Sequence, residues 1–187
     1  MSVNIEAKFR SDPASNARVL DVLKSLAPEG FSWTRHQTDT FFDVPNGYLK
    51  LREEQDASAI LIAYRRPVDL SHGPSRPSDY VLVPCPNPQP MKAALAHVLT
   101  RGLTVEKTRT LWLLHHTRVH IDHITGLGYF VELETVVTPD LTARQADEEC
   151  RHVIDTLGLN LLEAVGVPYM ELLRTHHARA TVASSSS

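Results

Sequence analysis

The sequence predicts an α+β domain in which about eight antiparallel strands form a sheet or barrel, with a few helices packed outside. Three observations point there. Segments with two-residue alternation outnumber helical ones along the chain. Turn signals built on Pro and Gly separate those segments. No linker divides the 187 residues, a length that supports one domain with a real core. Residues 1–177 read as that single domain, and 178–187, small and polar, as a disordered tail.

The elements follow in order. Val3 to Arg10 alternates as a strand. Asp12-Pro13 then offers a cap and a proline for a first helical turn, and Ala17, Leu20, Leu23 and Ala27 repeat at helical spacing. Pro28-Glu29-Gly30 ends that helix. Gln37–Phe42 and Tyr48–Glu53 read as a hairpin around Pro45-Asn46-Gly47. Ala59–Arg66 and Ser78–Val83 read as the next two strands, joined by a mobile loop over Pro67–Pro77. Met91–Arg101 reads as a short helix closed by Gly102. Leu103–Leu114, Thr117–Ile124 and Gly128–Val137 complete the strands. Thr142 and Gln145 have the spacing of a capping box for a helix running to Leu157. A broken helical pattern occupies Leu161–His176.

Composition bounds the function. Net charge is −3, so no global basic field marks a nucleic-acid binder. No apolar run approaches the ~20 residues of a membrane span, and the N-terminus lacks a secretory pattern. Two cysteines, Cys85 and Cys150, do not make a disulfide framework, which suits a reducing cytoplasmic setting.

Charge patterning is the informative feature. Glu6 and Lys8, Lys50 and Arg52, Lys107 and Arg109, and Glu132 and Glu134 are pairs two residues apart, so each pair shares one strand face. One such pair is the ordinary wet face of a half-buried sheet. Four pairs, two purely basic and one purely acidic, suit a charged interior for a polyanion and its metal ions. Alternation alone does not say which face is buried. In a sandwich the apolar partners Ile5, Ala7, Phe9, Leu49 and Leu51 would form the core. In a tunnel they would pack outward under helices.

Other chemistries lack their patterns. His115, His116, His120 and His123 cluster, but His120 and His123 lie three apart on a strand and face opposite sides, and no zinc spacing occurs. There is no Gly-x-Ser-x-Gly elbow and no Walker or dinucleotide glycine motif. Trp33 and Trp112 read as packing residues.

The motifs and their order resemble the CYTH family, the triphosphate tunnel metalloenzymes. Asn4-Ile5-Glu6-Ala7-Lys8 is similar to the family's opening Glu-x-Glu-x-Lys strand. Gln37–Asp43 with Gly47–Glu53 resembles its second hairpin, and Tyr64-Arg65-Arg66-Pro67 with Ser78-Asp79-Tyr80 the next strand pair. Val105-Glu106-Lys107-Thr108-Arg109 resembles the Val-x-Lys-x-Arg strand. His120-Ile121-Asp122 and Gly126–Glu134 resemble the closing Asp and Glu-x-Glu pair. The likeness runs from about residue 3 to 173.

The resemblance implies an eight-stranded antiparallel barrel whose lumen binds triphosphate. By position, Lys8, Lys50, Arg52, Arg65, Lys107 and Arg109 would hold phosphate oxygens, with Lys8 and Arg52 as the catalytic pair. Glu6, Asp122, Glu132 and Glu134 would hold Mg²⁺ or Mn²⁺. Asn4 departs from the pattern, a neutral and poorer metal ligand where many members carry Glu. Tyr48 stands where Arg is frequent. The C-terminal helical segment lacks an obvious Lys for the triphosphate, which favours the class IV adenylyl cyclase-like branch over thiamine triphosphatase. The leading expectation is a metal-dependent, triphosphatase-type hydrolase of inorganic triphosphate or of a nucleoside or other organic triphosphate. The alternatives are an adenylyl cyclase that makes cyclic AMP from ATP and a non-catalytic triphosphate or polyphosphate binder. The expected partner is a triphosphate-containing small molecule, not nucleic acid or membrane, with a homodimer as the open assembly.

Overall fold

The computed structural model describes residues 2–66 and 73–185. Eight strands close a barrel: β1 (Ser2–Ser11), β2 (Phe31–Phe42), β3 (Tyr48–Glu54), β4 (Ala57–Arg65), β5 (Arg76–Cys85), β6 (Arg101–Leu114), β7 (Thr117–Ile124) and β8 (Gly128–Val136). Their spatial order is β1-β5-β4-β3-β2-β6-β7-β8, and every pairing is antiparallel. Two meanders, β2 to β5 and β6 to β8, join along the β2–β6 ladder. β1 fills the remaining seam between β5 and β8, so no strand edge stays open.

The barrel settles which face is inside. Ile5, Ala7 and Phe9 of β1 point outward and form one core with Trp112, Val119, Ile121, Val131 and Leu133 of the wall. Helices α1 (Pro13–Leu26) and α3 (Ala143–Thr156) cover that wall with Val19, Leu23, Cys150, Val153 and Ile154. Asn4, Glu6 and Lys8, the alternate residues of β1, therefore face the lumen. A second outer cluster joins Phe42, Leu51, Ala59 and Cys85 to Met91, Leu95 and Leu99, on and just after α2 (Pro88–Val98).

The helix starts obey their local chemistry. Asp12 accepts from the Ser15 amide at 2.9 Å, with Pro13 in the first turn of α1. Thr142 and Gln145 make the reciprocal capping box of α3.

Several boundaries differ from the sequence reading. β2 begins at Phe31, six residues before Gln37, because pairing with β6 and the Phe31–Trp112 edge contact at 5.8 Å order a stretch without clear alternation. β5 is longer than Ser78–Val83 because Arg76 and Pro77 pair with β1. Of the loop expected over Pro67–Pro77, residues 67–72 lie outside the described residues. α2 starts at Pro88 rather than Met91, since a proline in the first turn loses no helical hydrogen bond, and Gly102 lies in β6 rather than capping the helix. Helix α4 (Tyr169–Ser185) runs past Ala178 into the segment expected to be a disordered tail. No helix among the described residues is long and apolar enough to cross a membrane.

α4 positions the site. Tyr169, Met170 and Leu173 pack on Phe41, Val105, Ile124 and Phe130 at one end of the barrel. Tyr169 and the preceding Pro168 thereby line the inner chamber.

Candidate functional site

Among the described residues, the lumen is lined by seven cations, Lys8, Lys50, Arg52, Arg66, Lys107, Arg109 and Arg118, against four carboxylates, Glu6, Asp39, Glu132 and Glu134. Each is placed by strand alternation, and register sets which charges meet. Three groups result.

The first surrounds Asp39 of β2. Arg52 reaches its carboxylate through Nε at 2.7 Å and an Nη at 2.9 Å, Lys107 lies at 2.7 Å and Lys50 at 3.0 Å. Three cations share one carboxylate, so positive charge is in excess here. Burial alone would raise the Asp39 carboxyl, but Arg52, Lys107 and Lys50 more than reverse this and hold it well below the carboxylate range. Burial pushes Lys107 down to about 7, with Asp39 opposing and Arg52 and Lys50 adding to the fall. Lys50 is lowered by burial and by Arg52.

The second group lies where β1 meets β8. Lys8 faces Glu132 and Glu6 faces Glu134 in the ladder. Lys8 Nζ is 3.1 Å from Glu132 Oε1 and 4.0 Å from the centre of the Tyr169 ring. Burial pushes Lys8 down to about 8, with Glu132 opposing. Glu6 is ion-paired with Arg66 and lies 3.8 Å from Arg76 Nε. Asn4 is buried and lines the same wall, and its Oδ1 has no hydrogen-bond partner.

The third group spans β6, β7 and β8. Arg109 donates to both oxygens of Asp122, at 2.7 and 2.6 Å, and to Glu132 Oε2 at 2.6 Å. Tyr169 donates to Asp122 Oδ2 at 2.8 Å. Burial would raise Glu132, but Lys8, His120 and Arg109 hold it well below its ordinary value. Burial and Arg109 lower His120.

The lumen thus gathers Lys8, Lys50, Arg52, Lys107 and Arg109 with Glu6, Glu132 and Glu134. Two residues named from sequence fall elsewhere. Arg65 is exposed, because Tyr64 and Arg66 take the inward positions on either side of it, and Arg66 enters the lumen in its place. Asp122 is fully buried, accepts from Arg109 and Tyr169, and is not among the residues that line the chamber.

Asp39, Arg66, Arg118 and Tyr169 were not named as site residues from sequence, and His120 was weighed only as a zinc ligand. Parity could have found His120, which shares a strand face with Asp122. Its imidazole, Glu132 and Glu134 offer ligand atoms within 4.8 Å of one another. Carboxylate oxygens beside an imidazole suit a divalent cation, so the donor set fits the metal expected from the resemblance.

β4 and β5 present a different wall. Ile60, Ile62 and Leu82 face inward beside Tyr64 and Tyr80, giving one apolar side to a charged chamber.

The family model for the CYTH domain matches residues 2–163. No curated protein matches the chain by sequence. Among solved structures, a conserved hypothetical protein from Pyrococcus furiosus superimposes with a TM-score of 0.73 at 20% identity, covering 90% of this chain and 99% of that one. A candidate adenylate cyclase from Vibrio parahaemolyticus gives 0.69 at 15% identity, covering 91% and 97%. An RNA triphosphatase from S. pombe gives 0.53 at 14% identity, covering 93% and 85%. At these identities the likeness establishes a shared fold.

Proposed function

The chain belongs to the CYTH domain family, and from that premise we propose that it is a metal-dependent hydrolase of a triphosphate-containing substrate bound in the barrel lumen. The observation that carries this reading is the charge lining the chamber, seven cations against four carboxylates, with Asp122 behind Arg109 as a fifth carboxylate. A buried excess of positive charge is costly without an anionic partner, and a triphosphate supplies several negative charges in one chain.

The proposed roles follow from the groupings. Lys50, Arg52 and Lys107, already convergent on Asp39, would bind phosphate oxygens from one side. Lys8, Arg66 and Arg109 would bind from the other. Lys8 and Arg52 are the proposed catalytic residues, placed to stabilise charge on the transferring phosphoryl group. Glu132, Glu134 and His120 would hold the divalent cation, with Glu6 beside them. A bound Mg²⁺ or Mn²⁺ would polarise the phosphoryl group and neutralise charge on its oxygens. Tyr169 and Pro168 would limit water entry at the α4 end.

The apolar wall of Ile60, Ile62 and Leu82 favours a second reading, cyclisation of a nucleoside triphosphate, because a base and ribose need a surface that phosphate does not. One experiment separates the readings. Purified protein is given tripolyphosphate, ATP and thiamine triphosphate, each with Mg²⁺ or Mn²⁺, and phosphate, pyrophosphate and cyclic AMP are measured. Phosphate release is expected. Cyclic AMP with pyrophosphate would replace hydrolysis by cyclisation. Tight tripolyphosphate binding without turnover would make the protein a non-catalytic binder.

A further inference from the structure

We propose that His120, buried just behind the lumen wall, is a metal ligand, making the cation site a mixed nitrogen–oxygen site with Glu132 and Glu134 that favours first-row transition ions, Co²⁺ most clearly, over Mg²⁺. The inference deepens the metal-dependent reading above and rests on it.

The placement is specific. His120 faces Glu132 directly in the β7–β8 ladder, and Glu134 is the next inward residue of β8. His120 is 5% exposed, yet its Nδ1 has no hydrogen-bond partner. Glu132 Oε2 lies 3.7 Å and Glu134 Oε1 3.9 Å from it, both beyond hydrogen-bond range. A buried ring nitrogen without a partner is uncommon in a folded interior. His123, on the opposite face of the same strand, is exposed and stacks on Tyr129 at 4.5 Å.

The spacing suits an ion. Two neighbouring ligand atoms on one octahedral ion, each about 2.1 Å from it, lie roughly 3.0 Å apart. Nδ1 lies 3.7 and 3.9 Å from the two oxygens and all three ligand atoms lie within 4.8 Å of one another, so each contact shortens when one ion bridges them. The Glu134 oxygen nearest the imidazole is Oε1, whereas Arg118 holds Oε2 at 2.9 Å. Glu132 Oε2 accepts from Arg109 and keeps a second lone pair.

The donor types set the preference. Mg²⁺ takes oxygen ligands and demands near-ideal octahedral geometry, whereas affinity for a nitrogen-containing site rises along the first-row divalent ions, weakest for Mn²⁺ and stronger for Co²⁺. Asn4, buried on the adjacent β1, adds a neutral oxygen where a carboxylate would have reinforced a hard-cation site.

The test uses full-length protein stripped with EDTA and no substrate. Mn²⁺ is titrated and followed by electron paramagnetic resonance, with pulsed measurement of ¹⁴N coupling. Wild type should bind Mn²⁺ with an imidazole nitrogen coupling, and Co²⁺ should give visible absorption bands. His120→Asn should lose the coupling and bind Mn²⁺ at least ~10-fold more weakly, with a smaller change for Mg²⁺. Mn²⁺ bound without nitrogen coupling, no Mn²⁺ binding, or unchanged affinity in a folded His120→Asn would each overturn the proposal. If the variant does not fold, the coupling in wild type decides. Absence of triphosphate turnover would sink the hydrolase reading and leave this result standing.

Discussion

Arg109 and Asp122 face each other across β6 and β7, and Arg109 donates two hydrogen bonds to the Asp122 carboxylate, at 2.7 and 2.6 Å, inside the barrel. The pair joins the wall that carries Lys107 and Arg109 to the wall that carries Glu132 and Glu134. Tyr169 of α4 donates to the same carboxylate, so the helix that plugs the lumen is tied to this pair. On this geometry Asp122 is expected to act as a positioning residue. Removing one partner of a buried pair typically costs ~3–5 kcal/mol, because a charge is left unpaired. Asp122→Asn is expected to lower the thermal midpoint by that order while Mn²⁺ binding, read calorimetrically on the folded fraction, changes little. Loss of Mn²⁺ binding with the midpoint intact would make Asp122 a ligand after all.

Arg65 and Arg66 make a contrasting pair one residue apart. Arg66 lies in the lumen with Glu6, and Arg65 is exposed on the outside of the barrel. Arg66→Gln should weaken tripolyphosphate binding roughly 10- to 100-fold, the range for one charge-assisted hydrogen bond. Arg65→Gln should stay within about twofold, as exposed charges are screened. Isothermal titration of both variants measures the difference, and equal losses would contradict this placement of the two side chains.

That pair also marks how far the sequence could be read. Lys8, Lys50, Arg52, Lys107, Glu132 and Glu134 were legible because each has a like-facing charged neighbour two residues away inside an alternating run. Alternation could not say that this face is inward, since α1 and α3 bury the opposite face only once the barrel closes. At Arg65-Arg66 the run ends on two adjacent arginines, so parity alone does not choose between them. Asp39 was missed because its neighbours of the same parity, Gln37 and Phe41, are uncharged. Its importance comes from Lys50, Arg52 and Lys107 on two other strands. His120 was missed because it was judged against zinc spacing rather than against Glu132 across the ladder.

The depressed lysines make anion binding depend on pH. Lys107 titrates at about 7 and Lys8 at about 8 in the free protein, both lowered first by burial. A bound phosphate oxygen favours the charged ammonium and raises both values, so binding takes up protons above pH 7. Tripolyphosphate affinity should be greatest below pH 7 and fall as pH rises through 7 and 8, by up to about tenfold per pH unit for each group. The sign for folding follows from the same depression. The unfolded chain binds more protons between these values and the ordinary 10.5, so the two groups' contribution to stability grows over that window. It is lost as pH falls through 8 and 7. Titrations between pH 6 and 9 in buffers of different ionisation enthalpy read the proton uptake, and a flat profile would assign the binding to the arginines alone.

Asp39 offers a test of what the lumen lacks when empty. It is 2% exposed and is the carboxylate that Lys50, Arg52 and Lys107 share. In the free protein it is an internal counter-ion, and a triphosphate must compete with it for the same three cations. Asp39→Asn removes that charge and leaves the cations facing one another, so the free variant should lose stability on the order of 3–5 kcal/mol. The same change removes the competitor. Tripolyphosphate should then bind the variant more tightly, by about tenfold if the lost competition is near 1.4 kcal/mol. Ligand binding to the native state alone raises stability with concentration, so saturating tripolyphosphate should raise the variant's thermal midpoint more than the wild type's. If Asp39→Asn instead binds tripolyphosphate more weakly while remaining folded, then Asp39 organises the three cations for the ligand rather than standing in for it. The two roles are distinguished by the sign of one change in affinity.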